Sequence, residues 1–191
     1  TANAADNILT TAVPGLHIMP STQQLAEAEV ELYDMPNREY RLRDALAPLH
    51  EHYDYILLDC PPALGNITIN ALTTANAVIV PMQCEFYSLE GVQQLTNTVD
   101  AIRKTWNPTL DIMGVLLTMY DKRNSLTRAV EEEIRNTFGE RAFKTVIPRN
   151  VRVSEAPSHG KPALFYDFNS PGAQAYLRVA TEVIERTEQG E

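Results

Sequence analysis

The sequence predicts an α/β protein: a mostly parallel, twisted sheet with helices on both faces. Three observations predict it. Apolar runs without alternation recur at Tyr55–Leu58, Ala77–Val80, Ile112–Met119 and Phe143–Ile147, the pattern of strands buried on both faces. Helix-patterned stretches separate these runs, which calls for right-handed βαβ crossovers. Each run ends in a polar, charged or proline residue, where a strand gives way to a loop.

In chain order, Leu16–Met19 follows Pro14-Gly15 and reads as a short strand. Ser21 is placed to cap a helix reaching about Tyr33, with Leu25, Ala28 and Leu32 on one face. Met35-Pro36-Asn37 breaks it, and a second helix runs to about His52 through Tyr40, Leu42, Leu46 and Leu49. Tyr55–Leu58 is the first buried run. Ile67–Thr74 is a short helix, and Ala77–Val80 a strand that Pro81 ends. Ser88–Trp106 is a long helix and Ile112–Met119 the third strand. Leu126–Phe138 is a helix closed by Gly139. Phe143–Ile147 is the fourth buried run, and Pro171–Glu185 a closing helix with Ala175, Leu177, Val179 and Ile184 on its apolar face. No repeat, low-complexity tract or linker interrupts the pattern, so residues 1–191 read as a single domain.

The composition is that of a globular protein, with 44% hydrophobic and 21% charged residues. No apolar run reaches the ~20 residues of a bilayer-spanning helix. Cys60 and Cys84 have no spacing that makes a disulfide framework or a metal site, and a reducing cytoplasm is the expected compartment. The net charge is −9, which on its own argues against a nucleic-acid partner. The distribution is uneven, however. Residues 103–161 carry 11 Lys/Arg against 7 Asp/Glu, whereas residues 1–102 carry 3 against 13. A basic stretch therefore lies inside an acidic chain, which suits either a phosphate-binding face or an ordinary solvated surface.

In a parallel α/β sheet, ligands sit beyond the carboxyl ends of the strands. The residues there are Asp59-Cys60-Pro61-Pro62, Pro81-Met82-Gln83-Cys84-Glu85, Tyr120-Asp121-Lys122-Arg123-Asn124 and Pro148-Arg149-Asn150-Val151-Arg152. Asp59 ends an apolar run in the manner of a Walker B strand, where a carboxylate can hold a water of a Mg²⁺ shell. The competing reading is an Asp that simply caps the next turn or helix, and the apolar-run-plus-Asp pattern alone does not outweigh it.

Four blocks make the pattern specific. YDYILLDCPPALGNITINAL, VIVPMQCEFYSLEGVQQL, GVLLTMYDKR and KTVIPRNVRVSEAPSHGKPALFYDFNSPGAQAYL resemble, in order and spacing, the ParA/Soj-type chromosome and plasmid partition ATPases. LHIMPSTQQLAEAEVEL extends the similarity, which covers roughly residues 14–187. The resemblance implies a deviant Walker P-loop NTPase fold of the MinD/ParA (SIMIBI) type. It implies binding of ATP and Mg²⁺, a homodimer formed around two nucleotides, DNA binding without sequence preference, and hydrolysis stimulated by a ParB-type centromere-binding protein. It makes Asp59 the Walker B aspartate, with an indirect, water-mediated role toward Mg²⁺. Pro148, Arg149 and Asn150 match the segment beside the adenine, with Met119 nearby. Arg123 matches an arginine that holds DNA. Lys122, Arg152 and Lys161 are further DNA candidates on charge and rim position. For Arg123 the competing reading is a surface ion pair with Asp121 or Glu131, and for Arg149 a salt bridge at the core rim.

The sequence departs from the family at one decisive point. It contains no glycine-rich loop with Lys and Thr, the element whose backbone N–H groups cradle phosphates. The 191 residues therefore read as the C-terminal two-thirds of such an ATPase domain, lacking the Walker A segment. Alone they are expected not to hydrolyse ATP, and a truncated sheet is expected to leave an open strand edge. Three other readings remain. One is a non-catalytic DNA- or partner-binding fragment. A second is a MinD-like division-site ATPase, which would need a basic amphipathic C-terminal helix where VIERTEQGE is acidic. A third is an iron–sulfur reductase relative, which would need Cys60 and Cys84 to face a dimer axis. The expected setting is cytoplasmic and nucleoid-associated, without membrane insertion.

Overall fold

The computed structural model describes residues 4–85 and 88–188. The chain forms two compact units, one of Thr1–Asn76 with Asp100–Leu110 and one of Ala77–Val99 with Asp111–Glu191.

In the first unit, β1 (Leu9–Thr10) and β2 (His17–Ile18) form an antiparallel hairpin, with Leu9 opposite Ile18. Gly15, at φ +77°, turns it, and the Thr11 hydroxyl donates to the Leu16 carbonyl at 2.8 Å. Helix α1 (Leu25–Glu31) starts later than the sequence suggests: its N-cap is Gln24, with no side-chain cap bond, and Ser21 lies outside it. Its last turn tightens into a 3₁₀ turn, Leu32–Asp34, and Met35-Pro36 stops it because the residue before proline is driven out of the helical region. The second predicted helix is divided. A 3₁₀ turn at Arg38–Tyr40 leads into α2 (Arg41–Leu46), and another follows at Ala47–Leu49, where Pro48 removes an amide donor.

Helix α3 (Asn66–Thr74) is fastened by buried polar groups. The Glu29 carboxylate accepts from the Asn66 and Ile67 amides at its first turn, satisfying donors that a helix start leaves open. Asn70 is 4% exposed. It accepts from the Leu42 amide at 3.1 Å and donates to the Arg38 and Asn66 carbonyls. Asn107 closes the far end by donating to the Leu72 and Ala75 carbonyls at 2.9 and 2.8 Å.

The predicted strand at Tyr55–Leu58 does not form. The run has no regular secondary structure and no ladder partner among the described residues, and Leu57 is 85% exposed. A continuous apolar run makes a buried strand only where neighbours on both sides supply hydrogen bonds and cover, and among the described residues no strand lies beside this one.

The second unit contains the parallel sheet. β3 (Ala77–Gln83) and β4 (Asp111–Thr118) pair in parallel, from Ala77 opposite Asp111 to Gln83 opposite Thr118, with an irregularity between Val78 and Ile79. Pro81 does not end β3 as predicted but lies within it. Among the described residues β3 is bonded on one side only, and such an edge tolerates a residue without an N–H. Helix α4 (Ser88–Thr105) begins in this unit, and α5 (Ser125–Phe138) follows β4. The Asn124 side chain caps α5 by accepting from the Leu126 amide at 3.0 Å, and Gly139, at φ +52°, ends it.

The predicted fourth strand is a partial one. Val115 bridges Ala142 and Tyr120 bridges Pro148, both in parallel sense. Phe143 N–H donates to the Val115 carbonyl and Ile147 N–H to the Leu117 carbonyl, while Lys144 and Thr145 donate to the Glu182 carboxylate instead. A side chain thus takes two amides and breaks the ladder between the bridges. Short helices α6 (Val151–Glu155) and α7 (Ala163–Tyr166) lead to α8 (Pro171–Glu188). Ala175 and Val179 of α8 pack with Leu116, Phe143 and Ile147 in the core, and Arg186 reaches back to the Met113 and Ala142 carbonyls and lies 4.3 Å over the Phe143 ring.

Candidate functional site

The carboxyl ends of β3 and β4 open onto a cleft of about 180 Å³. Its walls come from the residues after β3 (Gln83, Cys84, Glu85), those after β4 (Met119, Asp121, Asn124), Thr127 in the first turn of α5, and Arg149. Small-molecule sites generally enclose ~300–1,000 Å³, so this cleft suits one moiety of a ligand rather than a whole nucleotide.

Met119 gives the rim its shape. It leaves β4 at φ +52°, a left-handed conformation that costs an L-residue with a bulky side chain ~1–2 kcal/mol. Strain of this kind concentrates where a site needs a particular backbone direction. Here it turns the chain so that Tyr120 N–H donates to the Ile147 carbonyl and Arg149 N–H donates to the Tyr120 carbonyl, both at 3.0 Å. Arg149 is thereby placed at the cleft beside Met119. Pro148 forms the bridge that carries it there. Asn150 is a helix cap: its side chain accepts from the Arg152 and Val153 amides at the start of α6.

Behind the rim, the Tyr120 hydroxyl donates to Glu131 Oε2 at 2.5 Å, and Arg135 grips Glu131 Oε1 at 2.7 Å. The hydrogen bond to Glu131 raises the Tyr120 pKa. Burial works against the charge on Glu131, but the bonds from Tyr120 and Arg135 outweigh it and hold its pKa below the ordinary value. Burial, then the nearby Glu131 charge, push the Cys84 thiol up to about 11, so Cys84 lines the cleft as a neutral group.

Arg123 stands outside the cleft on the β4–α5 loop, with its side chain 87% exposed. Its Nη2 donates to Asp121 Oδ2 at 2.8 Å and its Nε to Asp121 Oδ1 at 3.0 Å. These bonds hold the Asp121 pKa at about 2. The ion pair with Asp121 is thus present, whereas Glu131 pairs with Arg135. Arg152 on α6 lies 3.0 Å from Glu155 and 3.3 Å from Asp167. Lys122 and Lys161 are exposed. Asp59 lies in the first unit, exposed, just after the Tyr55–Leu58 run.

Met119 and Arg149, which the sequence reading names as neighbours, both line this cleft, and so do Asn124 and Thr127, to which it gives no site role. Both belong to a helix start, and an Asn–Ser–x–Thr sequence before an apolar helix face is the signal that could have pointed to them. Among the described residues no cluster of three His, Cys, Asp or Glu could hold a metal ion. Mg²⁺ in nucleotide sites takes few protein carboxylates and relies on phosphates and waters, so Asp59 as one outer carboxylate fits that pattern. The cleft is large enough for one ring-sized moiety, and the sequence contains no glycine-rich loop of the kind that cradles phosphates.

Comparison with known proteins converges on one family. An AAA domain family matches residues 1–112. The chromosome partitioning protein ParA of Caulobacter vibrioides is 51% identical over 187 residues, covering 97% of this chain and 70% of that protein. The sporulation initiation inhibitor protein Soj of Bacillus subtilis is 53% identical over 182 residues, covering 95% and 72%. Among solved structures, cobyrinic acid a,c-diamide synthase from Mycobacterium smegmatis with bound ADP and magnesium superposes with a TM-score of 0.83 at 32% identity, over all of this chain and 70% of that one. Together with the parallel β3–β4 ladder and the cleft at its carboxyl end, these likenesses show that the chain has an α/β P-loop NTPase fold and belongs to the ParA/Soj family of chromosome-partitioning ATPases.

Proposed function

We propose that this protein serves DNA segregation as a partition ATPase. In this reading it binds ATP with Mg²⁺, forms a nucleotide-dependent homodimer, binds DNA without sequence preference, and has its hydrolysis stimulated by a ParB-type centromere-binding protein. The observation that carries the DNA part is Arg123, an 87% exposed guanidinium in the basic stretch of an acidic chain. Non-specific binding needs cations that face phosphates and does not need residues that read base edges. Lys122, Arg152 and Lys161 are further candidates for phosphate contact on charge. A module with so few cations binds weakly, and a dimer doubles the contacts, which ties DNA affinity to nucleotide state.

On the nucleotide side, Met119 and Arg149 would flank the base in the strand-end cleft of the second unit, and Pro148 and Asn150 set the chain that presents Arg149; Asp59, in the first unit, would supply a carboxylate toward the Mg²⁺ shell. When bound, Mg²⁺ neutralises charge on the phosphates. These 191 residues supply no phosphate-cradling loop, and we propose that alone they do not turn over ATP. The setting of this function is the cytoplasm at the nucleoid. No helix of the described residues is long and apolar enough to cross a membrane.

The decisive experiment measures DNA-stimulated ATP hydrolysis with and without a ParB-type protein. It compares these 191 residues with a version fused to the glycine-rich segment of a relative, alongside DNA binding of both. Activity confined to the fused version, with DNA binding weakened by R123Q, is the expected result. Turnover by the 191 residues alone overturns the reading of an incomplete phosphate site. DNA binding indifferent to R123Q overturns the role of Arg123.

A further inference from the structure

We propose that Asp121 is a brake on Arg123: it holds the guanidinium in an internal ion pair that a DNA phosphate has to displace. The proposal rests on the reading of Arg123 as a DNA-contacting residue.

The geometry is that of a competitor. Asp121 engages Arg123 through two parallel bonds, Nε to Oδ1 at 3.0 Å and Nη2 to Oδ2 at 2.8 Å. That fork is the edge an arginine offers to a phosphate, so Asp121 and DNA compete for the same donors. The carboxylate is also fixed in place. Its Oδ1 accepts from the Arg123 backbone amide at 3.1 Å, an Asx turn that keeps it beside the guanidinium. The other face of the Arg123 side chain is open to solvent, so a phosphate can approach while the pair is closed. Asp121 stays ionised throughout the neutral range, because the bonds from Arg123 hold its pKa at about 2. The pair therefore presents no net charge to DNA until it opens.

Arg152 is restrained in a similar way, by Glu155 and Asp167. Two of the cations assigned to DNA thus carry their own acidic partners. Asp121 acts on DNA only through Arg123, which makes it a positioning residue. It weakens the encounter and keeps a single protomer from holding DNA firmly. It also lines the cleft that holds Met119 and Arg149, which places the brake on the wall of the proposed nucleotide site.

The test is binding of a short labelled duplex of arbitrary sequence by the full chain, across a salt series, for the parent, D121N, R123Q and the double variant. Asn keeps an oxygen for the Arg123 amide, so the turn persists while the charge is lost. D121N is expected to bind about two- to fivefold more tightly, the range of an exposed ion pair. Its slope of log affinity on log salt is expected to match the parent's, since Arg123 meets the same phosphate in both, whereas R123Q is expected to be shallower by about 0.9. In the R123Q background the same substitution gains nothing. D121N binding no more tightly than the parent, or gaining equally with and without Arg123, overturns the brake and leaves the DNA reading standing. Parent and R123Q binding alike overturns both, and locates the failure in the DNA reading.

Discussion

The hydroxyl of Tyr120 donates to Glu131 Oε2 at 2.5 Å, joining the residue just past β4 to the middle of α5. The bond holds the exit of the strand against the helix whose first turn lines the cleft. Tyr120→Phe removes the donor while Glu131 keeps Arg135. A loss of about 1 kcal/mol in urea unfolding is expected, the net value of one such bond. An unchanged midpoint would show that Glu131 is satisfied without Tyr120.

Glu182 gives a pH dependence with a definite sign. Burial opposes its charge, but the Lys144 and Thr145 amides and Arg186 outweigh burial and hold its pKa below the ordinary glutamate value. A depressed folded pKa means stability that is fully present above the unfolded value, near 4.5, and is lost as pH falls through the folded one. Glu182→Gln is expected to be less stable at neutral pH and to show a shallower loss of stability on acidification. Parallel stability–pH curves for the two proteins would refute this. Glu182→Ala leaves Arg186 with its carbonyl partners but no counter-charge, and a loss of about 3–5 kcal/mol is expected for breaking so enclosed a pair.

At Gly114 an added Cβ would lie 2.3 Å from the Arg141 carbonyl oxygen and 2.9 Å from the Phe143 ring. Backbone cannot yield as a flexible side-chain tip can. Gly114→Ala is expected to destabilise by about 1–3 kcal/mol, read as a lowered melting temperature, although alanine has the better intrinsic propensity.

Met119 should separate stability from ligand binding. Glycine adopts a positive φ freely, and its extra entropy in the unfolded chain offsets ~0.5–1 kcal/mol of that relief. Met119→Gly is therefore expected to keep or slightly raise the melting temperature and to weaken adenine-nucleotide binding. Weakened binding together with a large loss of stability would mean that the side chain serves the fold.

Asn70 joins three segments of the first unit through the Leu42 amide and the Arg38 and Asn66 carbonyls. Asn70→Ala strands a buried amide and two carbonyls, and about 2–3 kcal/mol of destabilisation is expected. An effect confined to the first unit would appear as local proteolysis near Arg38 with the β3–β4 ladder intact.

What could be read from the sequence follows from the range of the interactions involved. α4, α5 and α8 were legible because their signals are local: a 3.6-residue apolar period and, for α5, Gly139 after it. β4 was legible because it is packed on both faces, with Val115 and Leu117 on one face and Leu116 on the other all buried. Tyr55–Leu58 has the same composition and no ladder, because strand formation depends on neighbours that the run does not contain. The break in the fourth strand depends on Glu182, some forty residues downstream in sequence, and no local window could show it. At the site, Met119 and Arg149 were named through family motifs rather than through local chemistry. The positive φ of Met119 and the grip of Asp121 on Arg123 are matters of backbone geometry, which the residue names alone do not carry.

The carboxylate that replaces a neighbouring strand at Lys144 and Thr145 has a kinetic consequence. These two amides are shielded from exchange with solvent by a helix rather than by a β-ladder. They can exchange only when α8 lifts or Glu182 swings away, so their exchange rates report on the docking of α8. The edge of the sheet and the last helix should therefore open as one cooperative unit, and a disturbance at either is felt at the chain that presents Arg149.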